Sequence, residues 1–290
     1  MPKSTSLIER LKARLPAWAR RDAPVVPVVR LSGPIGMPST LNGGVTLSIA
    51  AVAGALDRAF AVERAPAVAI IVNSPGGSAV QSRLIYQRIR LLAEDKEKPV
   101  LVFVEDAAAS GGYMIACAGD EIIADPSSIV GSIGVVSASF GFTGLIDKLG
   151  VDRRVHTAGE RKVTLDPFQP EKPDDIAHLL AIQAEVHDTF VEIVRERRGH
   201  RLTPSEETFS GLFWTGKRGV ELGLVDRLGD LRGVLREKYG DEVLPVLVNP
   251  ERISLLKRLF GADVTSFAGA TVAAAAETVE ARALWSRLGL

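Results

Sequence analysis

The sequence predicts an α/β domain, a largely parallel β-sheet with helices packed on it. Three observations lead there. From Pro24 onward, short apolar runs alternate with segments of helical period, as successive βαβ units require. Two glycine-rich turns, NSPGGS at 73–78 and AASGG at 108–112, each follow an apolar run and precede a helical one. The 290 residues are 46 % hydrophobic, enough to bury a sizeable core in one main domain with extensions.

The elements follow in order. PVVPVVRLSG (24–33) and AVAIIVN (67–73) read as strands, with a helix between them over VTLSIAAVAGALDRAFAV (45–62). After SPGGS a helix runs through AVQSRLIYQRIRLLAEDK (79–96), and PVLVFVE (99–105) is a buried strand. A short helix then extends to Ala118, and DEIIADP (120–126) is a strand. SSIVGSIGVVSASF (127–140), rich in glycine and β-branched residues, reads as a strand broken by a turn. A helix over TGLIDKLG (143–150) and a strand over DRRVHTAG (152–159) come next. ERKVTLDPFQPEKP (160–173) holds three prolines and little periodicity, so it is expected as a surface loop. A long helix spans about 174–198, started by PDD and stopped by Gly199. Two short helices flank GLVDRLG within 213–240.

Both ends differ from this body. Residues 1–23 form an amphipathic basic segment: Leu7, Ile8, Leu11, Leu15 and Trp18 share one helical face, while Lys3, Arg10, Lys12, Arg14, Arg20 and Arg21 fill much of the remainder. Such a segment either lies on an anionic membrane surface or docks on the body of an oligomer. The main domain is expected over 24–249. Residues 250–290 form a helix-prone arm, basic in ISLLKRLFG and alanine-rich in TVAAAAETVEARALWSRLGL.

Composition removes several functional classes. Acidic and basic residues balance at 35 each, so no global charge attracts nucleic acid. Cys117 is the one cysteine, which excludes an intrachain disulfide. The four histidines, His156, His178, His187 and His200, form no zinc pattern, and no metal or other cofactor is expected. No apolar window reaches the roughly 18–20 residues of a membrane span, and the N-terminus lacks a signal-peptide core. The expected location is the cytoplasm, with residues 6–21 holding the chain peripherally on the inner face of the membrane.

The chemistry concentrates at Ser110. Both glycine-rich turns fall at the carboxyl ends of strands, where ligands gather in open α/β sheets. A helix starting at Ser110 aims free N–H groups at a developing oxyanion, with the hydroxyl at its mouth. A serine needs a base to take its proton, here a histidine or an unprotonated lysine.

The stretches VNSPGGSAVQS, AAASGGYMIACAGDEIIADPSSIVGSIGV and TAGERK resemble the signal peptide peptidase A-like serine peptidases, peptidase family S49 of the crotonase/Clp protease superfamily. The resemblance covers roughly residues 25–245. It implies a βαβ-repeat spiral fold with helical arms and a Ser/Lys dyad, with Ser110 as nucleophile and Lys162, closing GERK, as base. It further implies that Ser132 of GSIGV hydrogen-bonds that lysine. The oxyanion donors would be the N–H groups of Gly77 and Ser110, with Gly111 as a further candidate. The expected substrates are extended apolar peptides such as remnant signal peptides or misfolded membrane-protein segments. A homo-oligomer is expected, each site combining the serine of one protomer with the lysine of its neighbour.

Other readings use the same residues. A Ser/His/Asp triad would join Ser110 to His156 and to Asp106 or Asp125. The Clp-type peptidases share NSPGG but take their base from a histidine after the next strand, where this chain reads SSIVGSIGV. A non-catalytic membrane-associated scaffold and an acyl-CoA enzyme of the crotonase type are the readings from other classes. Arg161 places a second cation beside Lys162, and Lys172 lies farther along the loop. Phe213 and Trp214 are expected as core or oligomer contacts.

Overall fold

The computed structural model describes residues 23–36, 47–248 and 282–290. The expected basic segment 1–23 and most of the arm at 250–290 therefore lie outside the described residues. Among the described residues, eight strands form one sheet: β1 (Val25–Ser32), β2 (Val68–Ser74), β3 (Val100–Ala109), β4 (Glu121–Ala124), β5 (Ile129–Gly131), β6 (Phe213–Thr215), β7 (Arg227–Leu228) and β8 (Leu244–Leu247). The order is β6-β5-β3-β2-β1-β8, with β4 on β3 and β7 on β4. Every pair is parallel except β5–β6.

The strands are almost wholly apolar because both faces of the sheet are covered. On one face Val29, Leu31, Ile70, Val72, Val102 and Val104 meet the helices α1 (Ile49–Phe60), α2 (Ala79–Asp95) and α3 (Gly111–Ala116). On the other, Val28, Ala69, Ile71, Leu101, Phe103 and Ile123 pack beneath Val234 and Leu235. The spacing of α1 explains its docking: Val52, Ala55, Leu56, Ala59 and Phe60 recur at three- and four-residue steps and are all buried. In α2 the Ser78 side chain accepts from the Gln81 N–H, and Ile85, Tyr86, Ile89 and Leu92 face inward.

The short α4 (Thr143–Leu149) and the long α5 (Pro173–Arg198) follow the expected positions, and α6 (Gly216–Glu221) and α7 (Leu231–Tyr239) flank the GLVDRLG turn. Pro173 stands in the first turn of α5, where no N–H is needed, beside Asp174 and Asp175. Only the C-terminal part of α5 is buried, through Phe190, Val191, Ile193 and Val194.

The strand expected at 152–159 is absent. That segment is irregular and largely exposed, and among the described residues no strand pairs with it. The expected strand in 127–140 shrinks to β5, after which the chain leaves the sheet. The pairings of β6, β7 and β8 were not expected from composition, since each element has only two to four residues.

Candidate active site

Ser110 stands one residue beyond β3, with φ 52° and ψ −123°. Few residues other than glycine adopt such a backbone, and where it persists the surroundings enforce it. Its carbonyl accepts the Tyr113 and Met114 N–H groups at 2.9 and 3.0 Å, so it starts the buried helix α3. Its own N–H donates to the Gly131 carbonyl at 2.8 Å. The expected Ser110 oxyanion donor is therefore already engaged, because the β3–β5 ladder continues one bond past its last paired residues.

The PGG turn lies against this serine. A Cβ on Gly76 would stand 2.7 Å from the Ser110 Cβ and 3.0 Å from the Gly111 nitrogen, so only glycine permits the approach. Ile35 locks the turn: its N–H donates to the Gly76 carbonyl and its carbonyl accepts the Ser78 N–H, both at 2.8 Å. A Cβ on Gly77 would fall 2.0 Å from that Ile35 oxygen, and Gly77 has a φ of +140°. Gly77 is exposed, whereas Gly76 and Gly111 are buried. Among the described residues, no hydrogen bond uses the N–H of Gly77 or of Gly111.

Ser132 is half-buried and lies in register with Ser110. Ala109 pairs with Gly131 at the end of the β3–β5 ladder, and the two serines are the next residues of their strands, both with φ 52°. The Ser132 N–H donates to the Leu212 carbonyl at 2.7 Å. One residue further, the Ile133 carbonyl is 3.1 Å from His187 Nε2 on α5, with Nε2 as the donor. Sequence reading missed His187 because its partner lies 54 positions away.

Lys162 is exposed on the 160–173 loop. Among the described residues, no hydrogen bond joins its side chain to Ser110 or Ser132, so the single chain unites the serines and glycines but not the lysine. The loop itself is anchored. Arg153 Nε meets Asp166 Oδ2 at 2.8 Å and its guanidinium lies 5.0 Å over the Phe168 ring, which packs on Phe142. The Arg153 hydrogen bond, then the Phe168 N–H, hold the Asp166 carboxyl below its ordinary value. Arg161 is exposed, and Lys172 is the exposed residue preceding α5.

The histidine alternative gains no geometry. His156 is exposed, Asp106 accepts the Asn73 amide, and Asp125 accepts the Ser127 N–H. Among the described residues, no group of His, Cys, Asp or Glu could hold a metal ion, and no helix is long and apolar enough to cross a membrane. Cys117 is fully buried, and burial pushes its thiol up to about 12, so it stays protonated.

Buried polar contacts tie α3 in place. Tyr113 Oη donates to the Leu224 carbonyl at 2.8 Å. Arg198 Nε donates to the Gly223 carbonyl while its fork grips both Asp226 oxygens at 2.8 and 2.9 Å. Burial alone would raise Asp226, but Arg198, the Ile122 N–H and Arg201 outweigh it and hold the carboxyl below its ordinary value. The carbonyls at the end of α3 are met by Arg197, at Cys117 and Gly119, and by Arg90, at Ala118.

Beyond Ser132 the surface becomes apolar. Phe140 is 80 % exposed and Leu149 68 %, with Val136, Leu145, Val151 and Leu180 also open. Isolated chains rarely present so many large apolar side chains along one stretch.

The model of peptidase family S49 matches residues 93–242, just over half of the chain. A Na(+)/H(+) antiporter NhaA of Brucella abortus is 55 % identical over 291 residues, 97 % of this chain and 39 % of that protein. The chloroplastic serine protease SPPA of Arabidopsis thaliana is 35 % identical over 166 residues, 57 % of this chain and 24 % of the plant protein. Protease 4 of Haemophilus influenzae is 38 % identical over 167 residues, 56 % of this chain and 26 % of that one. The chain thus spans about two fifths or less of these relatives.

Proposed function

The chain belongs to peptidase family S49, and from that premise we propose that it is a serine endopeptidase acting through a Ser110/Lys162 dyad. The observation that carries this reading is the Ser110 cluster. A serine in a strained backbone stands at a helix start, beside two glycine N–H groups with no acceptor among the described residues. Ser110 Oγ attacks a peptide carbonyl while Lys162 takes its proton. The oxyanion is held by the Gly77 and Gly111 N–H groups, each of them worth about 3 kcal/mol in the transition state. The lysine returns the proton to the leaving amine, and water then hydrolyses the acyl-enzyme. The fold is the α/β arrangement of the Clp protease-like class, which supports the same chemistry.

A lysine acts as base near neutrality only if its pKa falls by about three units from about 10.4, on the order of 4 kcal/mol. Lys162 is exposed among the described residues, and in this reading its apolar cover comes from a second copy. The open side chains of Phe140, Leu145, Leu149 and Leu180 supply a surface for it. We therefore read the enzyme as a homo-oligomer in which Lys162 of one protomer serves Ser110 of the next, with Ser132 accepting from or donating to the amine. The substrates are extended apolar peptides, among them remnant signal peptides and misfolded membrane-protein segments. Residues 6–21 attach the chain to the inner face of the membrane. The antiporter named for the Brucella relative is a protein of which this chain covers 39 %, and that name is not carried over to this chain.

The test is cleavage of an unfolded apolar polypeptide by the wild-type chain and by Lys162→Ala, at neutral and alkaline pH. Cleavage by the wild type alone supports the dyad. Equal cleavage by both would return the base to a histidine, and cleavage by neither would favour the scaffold or acyl-CoA readings.

A further inference from the structure

The β2–β3 ladder slips at one place. Val72 pairs with Val104 and Ser74 with Ala108, so two steps along β2 match four along β3. At the same point β3 exchanges its outer neighbour, leaving β4 at Val104↔Ala124 and taking up β5 at Ala107↔Ile129. Had the first register continued, Ser110 would face Ser78. The slip of two residues, roughly 7 Å of strand, sets it opposite Gly76 instead, where the close approach of the two residues is seen.

Side chains hold this bulge where the ladder cannot. Asn73 Oδ1 accepts the Ala107 N–H at 3.2 Å, and its Nδ2 donates to Asp106 Oδ2 at 2.7 Å. From the opposite side Ser128 Oγ donates to the Glu105 carbonyl at 2.5 Å and accepts the Asp125 N–H at 3.1 Å. The Asn73 carbonyl takes the Gly33 N–H at 2.9 Å, and Ser74 Oγ joins the Gly33 carbonyl to the Gly76 N–H. One asparagine thus touches both strands at the slip and the loop behind the PGG turn.

We propose that Asn73, paired with Asp106, is a positioning residue that fixes the bulge register and so sets Ser110 against the Gly77 and Gly111 N–H groups. This rests on the reading of Ser110 as nucleophile. It gives a polar pair remote from any proton transfer a measurable part in the reaction, since a misplaced nucleophile loses rate before it loses substrate affinity.

The experiment uses the full chain and a fluorophosphonate probe, read by mass spectrometry at Ser110, beside kcat and KM on an apolar peptide and thermal melting. Asn73→Asp keeps the Ala107 contact but turns the Asp106 contact into a repulsion. Its labelling rate and kcat are expected to fall about tenfold or more with KM little changed. Adding Asp106→Asn restores a donor and acceptor in swapped order, and labelling is expected to return to within about threefold of wild type. If Asn73→Asp does not fold, Asp106→Ala, which leaves the Asn73–Ala107 bond intact, is read in the same way. A single variant as reactive as wild type, or a double variant no better than the single, overturns the positioning role while Ser110 remains labelled. A wild-type chain unlabelled at Ser110 overturns the nucleophile reading and the positioning role with it.

Discussion

Ser110 and Ser132 are neighbours across the sheet: each follows the paired residues Ala109 and Gly131, and the Ser110 N–H reaches the Gly131 carbonyl at 2.8 Å. Both carry φ 52°, a conformation that costs a non-glycine residue about 1 kcal/mol or more. Ser110→Gly is therefore expected to melt above Ser110→Ala, by about 1 kcal/mol, while both lack peptidase activity. Calorimetry of the two variants, with a peptide assay alongside, checks the strain and the chemistry separately.

Ser132→Ala tests the proposed support of the lysine. The expected result is a kcat lower by about 10- to 100-fold with KM near wild type, because the hydroxyl would orient the base rather than bind the peptide. A parallel loss in KM alone would place Ser132 in substrate binding instead.

Gly77→Ala puts a methyl group where the Ile35 carbonyl already stands, 2.0 Å away, on a backbone with φ +140°. The turn must move, and the Gly77 N–H moves with it. Activity is expected to fall at least about 100-fold, the scale of one lost oxyanion donor. Fluorophosphonate labelling and a melting curve separate that loss from unfolding.

The Arg198–Asp226 pair makes acid stability predictable. Arg198 is almost wholly buried, with a side chain 1 % exposed, and Asp226 is held below its ordinary value. A carboxyl whose folded value is depressed stabilises the fold above its unfolded value of about 3.9, and that contribution is lost as pH falls through the folded value. Asp226→Asn is expected to cost about 3 kcal/mol at pH 7, since it leaves a buried guanidinium without its counter-charge. Its stability should also vary less with pH below about 4 than that of wild type. Urea unfolding between pH 2 and 7 measures both.

Mixing tests the shared site. Ser110→Ala and Lys162→Ala chains, each inactive alone, should regain part of the wild-type activity when unfolded together and reassembled. At equal amounts about a quarter of the sites would combine an intact serine with an intact lysine, if protomers associate at random. No recovery at any ratio would mean that both residues must come from one chain.

Much of this site can be read from residue order. Val100–Val104 is a continuous apolar run and SGG follows a few residues after it, so Ser110 falls near a strand end whatever the tertiary details. The two glycine turns are legible because parallel strands bring successive βα turns to one edge. The bulge is not: Glu105 and Asp106 look like an ordinary polar strand end, and only Asn73, 33 residues earlier, makes them an ordered irregularity. Residues 152–159 follow a helix as a strand of a βαβ unit would, but that order supplies no partner, and among the described residues no strand pairs with them. The hydrogen bond of the Ser110 N–H is not legible in the sequence for a related reason. Its acceptor, Gly131, comes from a three-residue strand whose pairing follows from the sheet rather than from its own pattern.

Cys117 is the sole cysteine of the sequence and is sealed inside the core, where burial keeps its thiol protonated. Alkylating reagents attack the thiolate, so the folded chain should be nearly silent toward maleimides at neutral pH. Any cysteine introduced on the surface would then be the single reactive thiol. That makes the wild-type sequence a ready background for attaching one dye per chain, at exposed Glu63 or Lys96 and away from the apolar surface beyond Ser132, to count protomers and time their exchange by energy transfer.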